Sequence, residues 1–164
     1  MNLPHIHLIL NHIPVLGTLF GLVLLAWGIV RRNDSLQRAG LLTFTVVALI
    51  AIPVYLTGEP AEEAVEHLAG TAESAIEPHE DAALISFIAM ELLGALALGA
   101  LLLSRTRFSP ALVVHGALAV AILTGGLMAW TANLGGRIRH GEVGASGAPQ
   151  SDEREQHDSS TFTK

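Results

Sequence analysis

The sequence predicts an all-α, polytopic membrane protein: four transmembrane helices in an up-down bundle, with a short interfacial helix in the outer loop. Three observations carry that expectation. Only 15% of the 164 residues are charged, against roughly a quarter in an ordinary soluble domain. The 51% that are hydrophobic gather in four blocks, at about residues 8–30, 39–56, 82–104 and 110–132. The segments between the blocks carry most of the charge, including two short basic turns and one long acidic loop.

Two totals exclude whole classes of function. A net charge of −6 argues against a nucleic-acid partner. The absence of cysteine removes disulfides, thiolate metal sites, iron–sulfur ligation and covalent c-type haem attachment. Nothing resembles a nucleophile–base pair or a phosphate loop, so an independent hydrolase or kinase is not expected, and a redox subunit is the most the chain offers as an enzyme.

Block one, at about 8–30, is long enough to cross a hydrocarbon core of about 30 Å at about 1.5 Å per residue. No Lys or Arg precedes it and no small-residue cleavage site follows, so it reads as a retained span rather than a cleaved signal. Gly17 and Gly21 form a GxxxG spacing suited to close helix approach, and Trp27 lies near the far interface. The basic turn from Arg31 to Arg38 leads to block two, at about 39–56, with Pro53 near its end. The loop at 57–81 holds no Lys or Arg; Gly58-Glu59-Pro60 gives a break with Pro at the start of an interfacial helix over Ala61–Ala69, and a weaker turn spans Thr71–Ile76. Pro78-His79-Glu80-Asp81 opens block three, at about 82–104. A second basic turn with Arg105 and Arg107 precedes Pro110, which starts block four at about 110–132. The transmembrane domain is expected over 1–143, and the Gly-, Ser-, Pro- and Gln-rich stretch 144–164 reads as a disordered tail.

The basic turns hold five arginines and the acidic loop none. The positive-inside rule then places the turns in the cytoplasm and both termini outside, in the inner membrane of a bacterium. This puts His5, His7, His12, His67, His79, His140 and His157 on the outer side, leaving His115 as the exception.

Neutral imidazoles from different helices suit haem iron or a transition-metal ion, and a cysteine-free bundle suits non-covalent b-type haem. His12, just before Pro14, is expected to point into the bundle and to meet His79 and His140 at its outer mouth. His7 is five residues from His12, about 140° away on a continuous helix, so both would reach one ion only if Pro14 marks a break. His5 shares a face with His12 and is read as incidental. The same residues are equally compatible with interfacial histidines that bind nothing. In the acidic loop, Glu62 and Glu66 share one helix face and lie near His67 and Glu80, a set suited to a divalent cation or to a solvated surface. Glu91 and His115 are the ionisable groups inside the spans, candidates for stations on a proton path or for interhelical hydrogen bonds.

Asn11-His12-Ile13-Pro14-Val15-Leu16, the His79-Glu80 opening of block three and Gly135-Gly136-x-Ile138 after block four together resemble the bacterial membrane family called domain of unknown function 2231. Members open with two histidines five residues apart, matched by His7 and His12, and close their last span with Thr-Gly-His-x-Gly-Gly followed by His-Gly. This chain has Asn133 where that pattern has its histidine and keeps His140-Gly141, which shifts the expected ligand to His140. The resemblance covers all four spans but not the tail. Members joined to Rieske or cytochrome c domains imply a redox setting.

The functional expectation is a small inner-membrane subunit binding b-type haem or a transition metal at its outer face for electron transfer. Its partners would be the lipid bilayer and a redox protein or larger membrane complex. The alternatives are a structural or assembly subunit without a cofactor, and a periplasmic divalent-metal sensor or carrier.

Overall fold

The computed structural model describes residues 3–66, 73–103 and 110–145, and these are almost entirely helical. The helices are α1 (Leu3–Leu10), α2 (His12–Val30), α3 (Asp34–Leu56), α4 (Gly58–Glu66), α5 (Glu73–Leu103) and α6 (Pro110–Ala145). Four stretches are long and apolar enough to cross a membrane: His5–Val30, Asp34–Leu56, Ile76–Leu103 and Ala111–Gly136. The shortest, at 23 residues, still rises about 35 Å.

The helices outrun the apolar blocks at several ends, each time for a local reason. Asn11 has helical torsions (φ −60°, ψ −23°), and its N–H reaches the His7 carbonyl at 2.9 Å, so α1 and α2 form one nearly continuous rod. Pro14 does not break the rod, and the Thr18 hydroxyl donates to the Pro14 carbonyl at 2.6 Å. His7 and His12 therefore keep their angular separation. At the other end of α2, the Arg32 N–H bonds to the Ile29 carbonyl and the Asn33 N–H to the Gly28 carbonyl. That pairing is a Schellman stop, and it places Arg32 at φ 52°, where glycine is the usual residue. A left-handed residue with a side chain costs about 1–2 kcal/mol.

Asn33 then caps α3, its Oδ1 accepting from the N–H groups of Ser35 and Leu36, which starts that helix at Asp34 rather than near Ala39. Gly58-Glu59-Pro60 forms the first turn of α4 instead of a break. Proline needs no amide partner there. Pro78 likewise lies near the start of α5, so His79 stands within a helix that begins before the expected opening at residue 82. In α6 the helix continues through Gly135 and Gly136 to Ala145, well past residue 132. The loop stretch 67–72, with His67, and the tail beyond residue 145 lie outside the described residues.

The helices α2 and α3 pack closely along their lengths. Gly17, Gly21 and Gly28 of α2 face Val47, Phe44 and Gln37 of α3, which fall in number as the glycines rise. The GxxxG spacing thus lies in a helix contact, as small residues do where backbones approach closely. Gly40 of α3 completes it: a Cβ there would stand 2.8 Å from the Leu25 amide nitrogen and 3.0 Å from the Gly21 carbonyl oxygen. Gly94 of α5 faces Ala48 of α3, and Tyr55 stacks on Phe87 with ring centroids 4.5 Å apart. Ser86 and Ala89 of α5 hydrogen-bond to Thr131 and Thr124 of α6. Leu25, Phe44, Met90 and Leu93 are fully buried at the centre. The outward faces are apolar, with Leu112 83% and Val30 74% exposed, as a surface solvated by acyl chains requires.

The α2–α3 contact generates the first prediction. Gly40→Ala puts a methyl group against backbone that cannot step aside, so it should destabilise the protein by about 1–3 kcal/mol. Gly99→Ala, with nothing within 4 Å of its Cβ, should be neutral or mildly stabilising. Equilibrium unfolding in mild detergent checks both; equal effects would contradict the close approach.

Candidate histidine site

At one end of the helices, two histidines are held by backbone carbonyls of neighbouring elements. His7, on α1, is half-buried, with its Nδ1 3.0 Å from the Val54 carbonyl oxygen and 3.2 Å from the Thr57 hydroxyl. Val54 and Thr57 end α3, where the last turn of a helix leaves carbonyls without intrahelical donors. His79, on α5, is also half-buried, with Nδ1 3.2 Å from the Thr131 carbonyl of α6.

A carbonyl oxygen only accepts, so Nδ1 carries the proton in both rings. In the neutral ring Nε2 then has a free lone pair. Neither Nε2 is hydrogen-bonded to a described residue. The two rings also lie within charge–charge reach of each other.

The surroundings make room for these rings. A Cβ at Gly135 would stand 3.0 Å from His79 Cε1, so the imidazole rests against bare α6 backbone. A Cβ at Gly58 would lie 3.7 Å from His7 Cε1. One turn below His79, the Thr131 hydroxyl bonds to the carbonyls of Leu127 and Ala82, each at 3.0 Å, and lies 2.7 Å from the Ser86 hydroxyl. This knot ties α5 to α6 beneath the ring.

The other expected residues are placed differently. His12 is exposed rather than packed into the bundle, because 140° of helix separates it from His7. His5 is exposed as well. His140 belongs to α6, but its side chain lies outside the described residues, as do those of Glu62, Glu66 and His67. Glu80 is exposed. Among the described residues, no three His, Asp or Glu side chains gather as metal ligands.

Glu91 lies on the α3 side of α5, between the contacts made by Phe87 and Gly94, and its Oε1 is buried without a hydrogen-bond partner. His115 is exposed near the start of α6, with Nδ1 2.6 Å from the Ala111 carbonyl oxygen. The two occupy different helix pairs and are not brought together.

Asn11 is the residue whose part the composition hides. Its Oδ1 is buried and unpartnered one helical turn from His7. Its only sequence signal is an amide side chain between two histidines in an apolar run. Thr131 and Ser86 give no signal beyond being small and polar.

Comparisons with protein-family models, with curated proteins and with solved structures found no match.

The seat of His79 yields the second prediction. Gly135→Val forces the imidazole off α6 and breaks its bond to Thr131, which should destabilise the protein by about 1–3 kcal/mol. Gly136→Ala, with open space at its Cβ, should change little. Chemical denaturation in detergent distinguishes them, and a harmless Gly135→Val would contradict the seat.

Proposed function

We propose that this chain is a small electron-transfer subunit of the bacterial inner membrane. Its four spans form an up-down bundle with both termini outside, and His7 and His79 hold b-type haem or a transition-metal ion at the outer face. In this reading α4 lies at the membrane interface beside the site. The resemblance to domain of unknown function 2231, with its redox associations, belongs to the same proposal.

One observation supports the reading above the rest. Each imidazole is oriented through Nδ1–H by a backbone carbonyl while Nε2 is left unengaged, the arrangement that fixes the tautomer of a metal-ligating histidine. A haem serving electron transfer would be held by two protein ligands. A pair of imidazoles is the ligand set such a haem would use. The donor set fits, and the glycines at 58 and 135 keep bulk away from both rings. When bound, haem would supply one-electron transfer; the chain's own residues hold the rings and surround them with apolar helices. His7 replaces His12 as the favoured ligand because His12 is exposed, and His140 remains a candidate neighbour.

The test is a visible spectrum of the full chain purified in detergent from haem-replete cells, oxidised and reduced, with metal analysis of the same sample. A Soret band is expected, lost in His7→Ala and in His79→Ala and kept in His12→Ala. A colourless, metal-free protein would contradict the proposal and leave a structural or assembly subunit. Orientation has a separate readout: a reporter fused after Lys164 should be active outside the cytoplasm.

A further inference from the structure

The opposite end of the helices carries a cleft of about 320 Å³ that the proposed function does not use. Its polar lining is Arg32, Asp34, Gln37 and His115, and Ile29 and Val114 form its apolar part. The volume lies at the small end of the range for ligand sites, roughly 300–1,000 Å³.

Arg32 is the unusual member. It occupies the left-handed position that glycine would fill without strain, and it is the only described non-glycine residue with positive φ. Neighbouring Arg31 is engaged, its guanidinium 4.8 Å above the Trp27 ring. Arg32 has no ion-pair partner among the described residues. A strained residue that presents an unpaired charge to a cleft is a reason to look for the ligand of that charge.

The rest of the lining suits an anion. His115 is fixed through Nδ1–H to the Ala111 carbonyl, which sets a second polar ring on the cleft wall. Gln37 spends one amide hydrogen on the Gly28 carbonyl at 3.2 Å and keeps the other. Ala111, in the first turn of α6, also lines the cleft, so the positive end of that helix faces it. Asp34 is the opposing charge; it is exposed on the first turn of α3, where that helix's own dipole offsets it.

The position selects among anions. The cleft lies where two apolar spans end, beside the strongly exposed Val30 and Leu112. A ligand with a phosphate at one end and hydrocarbon at the other matches both surfaces, and basic pockets between spans are known to take lipid headgroups. We infer that this cleft holds the phosphate of an anionic phospholipid, with Arg32 as its main contact and acyl chains lying on Val30 and Leu112.

Native mass spectrometry of the full chain in detergent tests this, titrating phosphatidylglycerol, phosphatidylcholine and inorganic phosphate in parallel. Phosphatidylglycerol should bind about tenfold more tightly than phosphatidylcholine, which carries the same phosphate but sets a choline cation beside Arg32. Arg32→Gly should lose about tenfold in phosphatidylglycerol affinity while its unfolding midpoint stays level or rises, because the backbone strain is relieved. Arg32→Gln removes the charge alone and should show the same loss. Arg38→Gln, exposed at the same end but outside the cleft, should keep its affinity within about twofold. Unchanged lipid binding in both Arg32 variants would overturn the inference, as would an equal loss in Arg38→Gln. Arg32-dependent binding of inorganic phosphate without any lipid preference would overturn the lipid assignment.

Discussion

A hydroxyl or imidazole N–H left without an acceptor in an apolar slab is expensive, and much of this structure follows from the helix carbonyls those donors find. A helical carbonyl has a second lone pair to offer them. Thr18 serves Pro14, Thr57 serves Pro53 and Val54, and Thr131 serves Ala82 and Leu127. His7 and His79 belong to the same set of donors, each bonding through Nδ1 to a carbonyl of another helix. The histidines are thereby part of what joins α1 to α3 and α5 to α6. Satisfying those N–H groups also aims the opposite ring nitrogen, which is how a packing requirement produces a candidate ligand pair.

Close helix approach is the second condition, and it acts at both ends of the molecule. Along α2 and α3 the glycines bring backbones together and leave the core to Phe44, Leu25, Met90 and Leu93. At α6, Gly135 does for an imidazole what Gly21 does for Phe44: it removes a Cβ so that a ring can lie on the backbone. The Schellman stop at Arg32 is the counterexample, a place where glycine would fit and an arginine stands instead.

The four apolar blocks were legible in the sequence because hydropathy and length decide them almost alone. The helix ends were less so. Proline and glycine read as punctuation in a sequence, yet Pro78 lies inside α5 and Gly135 inside α6, and neither ends its helix. His7 and His79 were visible as histidines at the mouths of blocks one and three. That His7 rather than His12 is held among neighbouring helices depends on Asn11 staying helical, which fixes the rotation between them. The partners, Val54 and Thr131, are backbone carbonyls of distant segments, and no residue type marks a carbonyl in advance.

His7 and His79 share one tautomer, protonated at Nδ1 and open at Nε2. Nitrogen-15 spectra of histidine-labelled protein in nanodiscs, assigned with His7→Ala and His79→Ala, read it directly. The cofactor-free protein at neutral pH should show protonated Nδ1 and lone-pair Nε2 resonances for both rings. Resonances from the opposite tautomer at either position would contradict the account, because a ring protonated only at Nε2 has no hydrogen to donate to Val54 or Thr131.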